Sequence, residues 1–137
     1  MATAQVVTHT YSDNRGSPGG KATLYVKWAC TDLGVVSEKI SELLSGRIIS
    51  IVTNPGSPTP TDNYDITLVS ALSGQDMLHG RGADRDQSNV EVAAVLMEQT
   101  IGSNVYAIHP VINEAGAVFT IAAAGDATQG ETWIYIE

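Results

Sequence analysis

Cysteine occurs once in the 137 residues, so no disulfide can form within the chain. Cys30 sits in the apolar run Leu24-Tyr25-Val26-Lys27-Trp28-Ala29-Cys30, the setting of a buried structural thiol and not of an activated one. Histidine is almost as scarce, with His9, His79 and His109 far apart. No two share the short spacing that places imidazoles on one side of an ion, which excludes a zinc hydrolase. Positive charge is also thin: seven Lys and Arg stand against fifteen Asp and Glu, for a formal charge of −8. That balance favours solubility and repels phosphate backbones, so nucleic acid is not an expected partner. No apolar run approaches the length of a bilayer span, and Met1-Ala2-Thr3-Ala4-Gln5 lacks the basic and apolar regions of a leader. A chain made and folded in a cytoplasm, with no membrane partner, is the expectation.

Catalytic signatures are missing as well. Gly-x-Ser-x-Gly is absent, and Gly102-Ser103-Asn104 has no strand-turn-helix around it. Gly80-Arg81-Gly82-Ala83-Asp84-Arg85 lacks the third glycine and the following helix of a phosphate-binding loop. Asp62-Asn63-Tyr64-Asp65 and Asp84-Arg85-Asp86 cluster oxygens without the spacing of a calcium loop, and read as turn caps. No enzyme, metal or cofactor is expected from these residues.

What the chain has is alternation. Tyr64, Ile66 and Leu68 fall on one face of an extended segment and Asp65, Thr67 and Val69 on the other; Leu24, Val26 and Trp28 alternate with Tyr25 and Lys27. Short β-branched and aromatic runs separated by Gly, Pro, Asn and Asp predict strands near 4–11, 21–30, 34–41, 46–53, 63–70, 90–97, 104–109, 116–123 and 130–136. Segment 35–45 would also line one side of a short helix through Val36, Ile40, Leu43 and Leu44. The strand reading is preferred, with Ser45-Gly46 as the turn into Arg47–Thr53. Ala117–Ala122 and Glu131–Ile136, around Gly125-Asp126-Ala127-Thr128-Gln129-Gly130, predict a closing hairpin in which Ile136 is paired and sensitive to truncation. No repeat is visible. The length suits one domain over 1–137, an all-β antiparallel sandwich or jelly roll, with 1–20 as an N-terminal strand or arm and loop and 21–137 as the core.

Loop 79–89 is the candidate interaction surface, because Arg81, Asp84, Arg85 and Asp86 put forked donors and carboxylates on a glycine-rich frame. Two uses remain open: ion pairs to a neighbouring subunit, or internal pairs that hold the loop in shape. Trp28, Trp133 and the five tyrosines could alternatively line a sugar-binding face, with Tyr11, Tyr64 and Tyr106 as exposed candidates. A β module with edge strands to protect is expected to self-associate, as a trimer first and a dimer second.

Arg47-Ile48-Ile49-Ser50-Ile51-Val52-Thr53-Asn54-Pro55-Gly56, then Thr61–Leu68 with Asp62-Asn63-Tyr64-Asp65-Ile66-Thr67-Leu68, then Asp76-Met77-Leu78-His79-Gly80-Arg81-Gly82 and Ala83-Asp84-Arg85, resemble a family of small tailed-bacteriophage virion proteins. The likeness covers roughly the central third and the closing C-terminal hairpin, Gly116 to Ile136, while residues 1–30 carry none of it. It implies a non-enzymatic virion component on the capsid surface, a decoration or cement protein that contacts the major capsid protein. A head–tail or tail-associated subunit is the alternative it also allows.

Overall fold

A computed structural model describes residues 3–137; Met1 and Ala2 of the expected N-terminal segment lie outside the described residues. Eleven strands and no helix make up those residues: β1 Val6–Asp13, β2 Ala22–Ala29, β3 Val36–Ile40, β4 Leu44–Pro55, β5 Asp65–Val69, β6 Glu91–Ala94, β7 Met97–Ile101, β8 Asn104–Ile108, β9 Val111–Glu114, β10 Ala117–Ala122 and β11 Gln129–Ile136. The larger sheet runs β1-β2-β11-β4-β6, with β9 also paired to β4; the smaller runs β3-β10-β5; β7 and β8 pair only with each other. All pairings between these strands are antiparallel. The protein is an all-β antiparallel sandwich.

Alternation decides which side of each strand is core. Leu24, Val26, Trp28, Ile134, Ile136 and Ile51 of the larger sheet are buried against Tyr64, Ile66, Leu68, Phe119 and Ile121 on the smaller. Trp28 donates its indole N–H to Thr132 Oγ1 at 3.2 Å, and its ring lies 5.7 Å from that of Tyr64, joining the two layers. A Cβ on Gly130 would overlap the indole, so this position of β11 admits only glycine. Cys30 is buried, and burial pushes its thiol up.

Several expectations are corrected. Segment 35–45 holds strand and no helix, but Ser45-Gly46 is not its turn: both lie inside β4, and the chain passes from β3 of the smaller sheet to β4 of the larger through 41–43. Gly46 has φ 125°, and a side chain there would meet the Glu137 carbonyl and the Arg15 guanidinium. The C-terminal segments are strands, yet β10 and β11 do not form a hairpin. β10 has both edges occupied, by β3 and β5, so β11 crosses to the other sheet between β2 and β4. The crossing is built by positive φ at Ala123, Gly125 and Ala127 and by a buried Thr128 hydroxyl bonded to the Ala124 carbonyl at 2.9 Å. Ile136 is paired on both sides, to Ala22 and Ile48. Tyr64, expected to be exposed, is fully buried. Strands β7 and β9 were not anticipated.

At one end of the sandwich His9 bridges the layers. Its Nδ1 lies 3.0 Å from Glu38 Oε2 on β3 and its Nε2 2.9 Å from Glu42 Oε2 in the β3–β4 turn. Gln5 adds two hydrogen bonds to the Ser37 backbone. Burial opposes the imidazolium, but the bonds to the two glutamates outweigh it and raise the His9 pKa above its ordinary 6.5. A hydrogen bond from its own backbone N–H, followed by His9, holds Glu42 below 4.5.

A folded-state pKa above the unfolded one gives stability that is complete below 6.5 and is lost as pH rises through the raised value. The melting-temperature difference between wild type and His9→Gln should therefore be largest near pH 5–6 and shrink by pH 8–9; a pH-independent difference would exclude the ionic clamp. In the core, Trp28→Ala should cost about 3–5 kcal/mol in urea unfolding. The Tyr64 hydroxyl makes no hydrogen bond of ordinary geometry among the described residues, and burial pushes it up to about 12, offset only in part by the equally unpaired Thr53 hydroxyl beside it. Tyr64→Phe should consequently leave stability unchanged or raise it.

Candidate functional site

The molecule's most exposed structured element is the hairpin β7–β8. In the larger sheet, β6 and β9 pair with the same edge of β4, β6 along Ser50–Thr53 and β9 along Leu44–Arg47. Val95 N–H bonds to the Ile49 carbonyl and Ile48 N–H to the Pro110 carbonyl, so the edge is continuous up to both sides of one gap. From that gap the chain departs at residue 96 and returns at 109 as a two-stranded arm. Gly102 with φ 63° and Ser103 close it, Gly at the first central position fitting a type II′ hairpin turn. Five residues per strand reach about 17 Å from the body.

The arm has no core side. Register places Met97, Gln99, Ile101, Asn104, Tyr106 and Ile108 on one face, and Glu98, Thr100, Val105 and Ala107 on the other. All but Met97 are exposed; Ile101 keeps 60% of its surface, Val105 64% and Tyr106 48%. Val111, which follows the arm's root, is exposed too. An isolated two-stranded hairpin is marginal in water, and apolar residues at this exposure mark a surface that gains by being covered.

The root is the opposite, buried and bonded. Val95 and Pro110 are buried, and the His109 ring closes the neck through Nδ1 to the Val95 carbonyl at 2.8 Å. The charged loop predicted as an interaction surface packs here, on the body that carries the arm. Arg85 is only 13% exposed; its Nε and Nη2 donate to the Ala83 carbonyl at 3.0 and 2.9 Å, and its Nη1 lies 3.7 Å from Glu91 Oε1 at the start of β6. Asp86 N–H donates to that same carboxylate oxygen at 2.6 Å. Arg81, more exposed, donates from Nε to the Leu96 carbonyl at 3.4 Å, where the arm leaves the sheet. Asp84 N–H bonds to Asp65 Oδ1, and the Asp86 carboxylate caps Ser88 and Asn89, whose N–H groups hold it below its ordinary value. Of the two uses left open for the loop, its bonds within the chain are visible: it braces β6 and the base of the arm.

Gly82 serves that brace. A Cβ there would overlap the Ile66 carbonyl, and Ile66 N–H donates to the Gly82 carbonyl at 2.8 Å, so glycine lets the loop lie against β5. His79 occupies an exposed turn at φ 50°. Among the described residues no three His, Cys, Asp or Glu side chains converge as metal ligands. A recess of about 350 Å³ beside the root includes Leu72, Met77, Met97 and Val111; the Glu114 carboxylate on its wall already accepts from Ser70 Oγ and Ala71 N–H, each at 2.7 Å.

Comparison with models of protein families, with curated proteins and with solved structures found no match to this chain. Of the arm, β8 falls within the strand expected near 104–109, while β7 was missed because its residues alternate no buried face; Ile101-Gly102-Ser103-Asn104 was the available signal, a glycine-led two-residue loop.

Removing the brace should be measurable without touching the arm. Arg85→Ala should cost about 1.5–3 kcal/mol in urea unfolding, the range for hydrogen bonds made by a charged group. It should also speed amide exchange in 91–101 more than in β2 or β11. Uniform acceleration across the molecule would show that the loop does not serve the arm.

Proposed function

We propose that this chain is a non-enzymatic virion structural protein, a decoration or cement subunit that fastens to the major capsid protein of a tailed bacteriophage. One observation carries the assembly role: a preformed arm, braced at its root, displays Ile101, Tyr106 and Ile108 along a face that buries nothing of its own body. The specific virion setting is supported by the resemblance of residues 47–85 to small tailed-phage proteins. Together they describe a subunit whose compact body stays on the outer surface of the capsid while the arm lies across a seam. A rigid hairpin loses little conformational entropy on docking, so most of its apolar burial is available as affinity. Tyrosine and isoleucine on such a projection are the side chains that anchor interfaces.

Self-association belongs to the same proposal, as a trimer first and a dimer second. β1 and β6 are the open ends of the larger sheet, and a heterologous contact between opposite ends closes into rings when its rotation permits. A head–tail joining subunit would use the same arm at a different place in the particle.

The double substitution Ile101→Asp and Tyr106→Asp should leave the melting temperature within about 2 °C of wild type, since neither side chain packs on the core. Its copy number in purified particles, counted by quantitative mass spectrometry, should fall at least tenfold, about 1.4 kcal/mol or more of lost docking. Normal incorporation of a folded double variant would reject the arm as the fastening element. A reconstruction of the particle would place the body on capsid or tail.

A further inference from the structure

The outward face of the larger sheet carries a second surface, independent of the arm. Register sets Thr10, Tyr25, Trp133, Val52 and Val92 opposite one another in a single row across β1, β2, β11, β4 and β6. Their strand neighbours Val26, Thr132, Ile134 and Ile51 are fully buried, so alternation turns the row away from the core. At its centre the Tyr25 and Trp133 rings lie 5.2 Å apart at 36°. Both are half-buried, and Tyr135 flanks them in the row next to theirs.

The row on the other side is polar: Thr8, Lys27, Glu131 and Asn54 face one another across four strands. Glu131 is held in place, accepting a hydrogen bond from the Tyr25 hydroxyl at one oxygen and from Asn54 Nδ2 at 3.1 Å at the other. Lys27 is exposed and forms no ion pair among the described residues. Two depressions open along this row. One of about 430 Å³ includes Val6, Thr8, Ala29 and Gln129; the other, about 150 Å³, includes Gly56 and Glu131; both share Lys27 and Gln129.

We propose that this face, with Tyr25 and Trp133 as floor and Lys27, Glu131 and Asn54 as rim, binds a neutral oligosaccharide. A sugar ring has an apolar C–H face and a polar edge of hydroxyls that both donate and accept. The face offers the matching halves side by side: aromatic rings for the C–H groups, and an ammonium, a carboxylate and an amide for the hydroxyls. Lys27 and Glu131 cancel locally, while the chain as a whole carries −8. An anionic glycan or an acidic protein partner would meet that field unfavourably, and a neutral polyol would not. The larger recess adjoins this face through Lys27, with Thr8 and Gln129 as its other polar lining, and extends it on the side away from the aromatic pair.

The test uses the purified full chain with maltohexaose, cellohexaose, xylohexaose and mannohexaose, read by isothermal titration calorimetry and tryptophan fluorescence. At least one should bind at millimolar concentration or better and shift the emission. Trp133→Ala should weaken it about tenfold or more. Tyr25→Ala and Lys27→Met serve the same purpose where the tryptophan variant does not fold, and Ile101→Asp on the arm should leave binding unchanged. Failure of all four sugars against the native chain, or affinity unaltered in folded Tyr25→Ala and Lys27→Met, would overturn the proposal. So would protection of Lys27 from acetylation on self-association without any sugar binding, which would make the face a protein contact.

Discussion

The packing of Trp28 against Gly130 is the contact on which the rest of the molecule depends. β11 can lie in the middle of the larger sheet only if the indole on β2 has somewhere to go, and the missing side chain at 130 supplies that space. Its N–H then bonds to Thr132 two residues along, and its ring meets Tyr64 of the opposite layer. Tyr64 pairs in turn with Arg85 across an isolated bridge, where Arg85 N–H donates to the Tyr64 carbonyl at 2.8 Å. The side chain of Arg85 carries the linkage to Glu91 at the start of β6, and Arg81 of the same loop reaches the Leu96 carbonyl where the arm begins. A continuous path of packing and hydrogen bonds therefore joins the centre of the core to the most exposed element of the surface.

That path explains an arrangement that is otherwise costly. Edge strands usually hide or blunt their free backbone groups, but here the edge beside β4 is interrupted to send out twelve residues with little to pack on. The expenditure is local: Val95 and Pro110 remain anchored on both sides of the gap, and the His109 ring ties the neck. Stiffness at the root and exposure beyond it are what a docking element needs, because a flexible segment would lose more entropy on binding. The opposite end of the molecule is treated differently, with His9 and Gln5 linking β1 to β3 across the layers.

Where a strand has one buried face, the sequence made it readable. The alternations at Leu24–Trp28, Tyr64–Val69 and Ala117–Ile121 place their buried side chains as observed, because period-2 patterning records which face meets the core. Pairing partners were not readable in the same way. Phe119 and Ile134 have the same local pattern whether β10 and β11 face each other in a hairpin or lie in different layers, and the crossing depends on β3 and β5 having taken both edges of β10. Half of the arm, β7, was unreadable for a complementary reason: with both faces wet it has no apolar period to find, whereas β8 falls within the strand expected near 104–109. Charge in loop 79–89 marks a candidate interaction surface, with internal pairing as the other reading, but bonds to the carbonyls of Ala83 and Leu96 are invisible in a sequence. Tyr25 and Trp133 were legible as aromatics and not as neighbours, since their proximity depends on the register between β2 and β11.

The two surfaces are arranged so that neither use excludes the other. Ile101, Tyr106 and Ile108 project from the gap in the β4 edge, whereas Tyr25, Trp133 and Glu131 lie on β2 and β11, inside the same sheet. A subunit held, as proposed, by an arm at its edge would engage its neighbour without covering the broad face of its sheet. The low density of positive charge fits this division. With only seven basic residues, and Arg85 and Arg15 committed to bonds within the chain, the proposed attachment would fall to apolar projections, and Lys27 stays unpaired on the open face among the described residues.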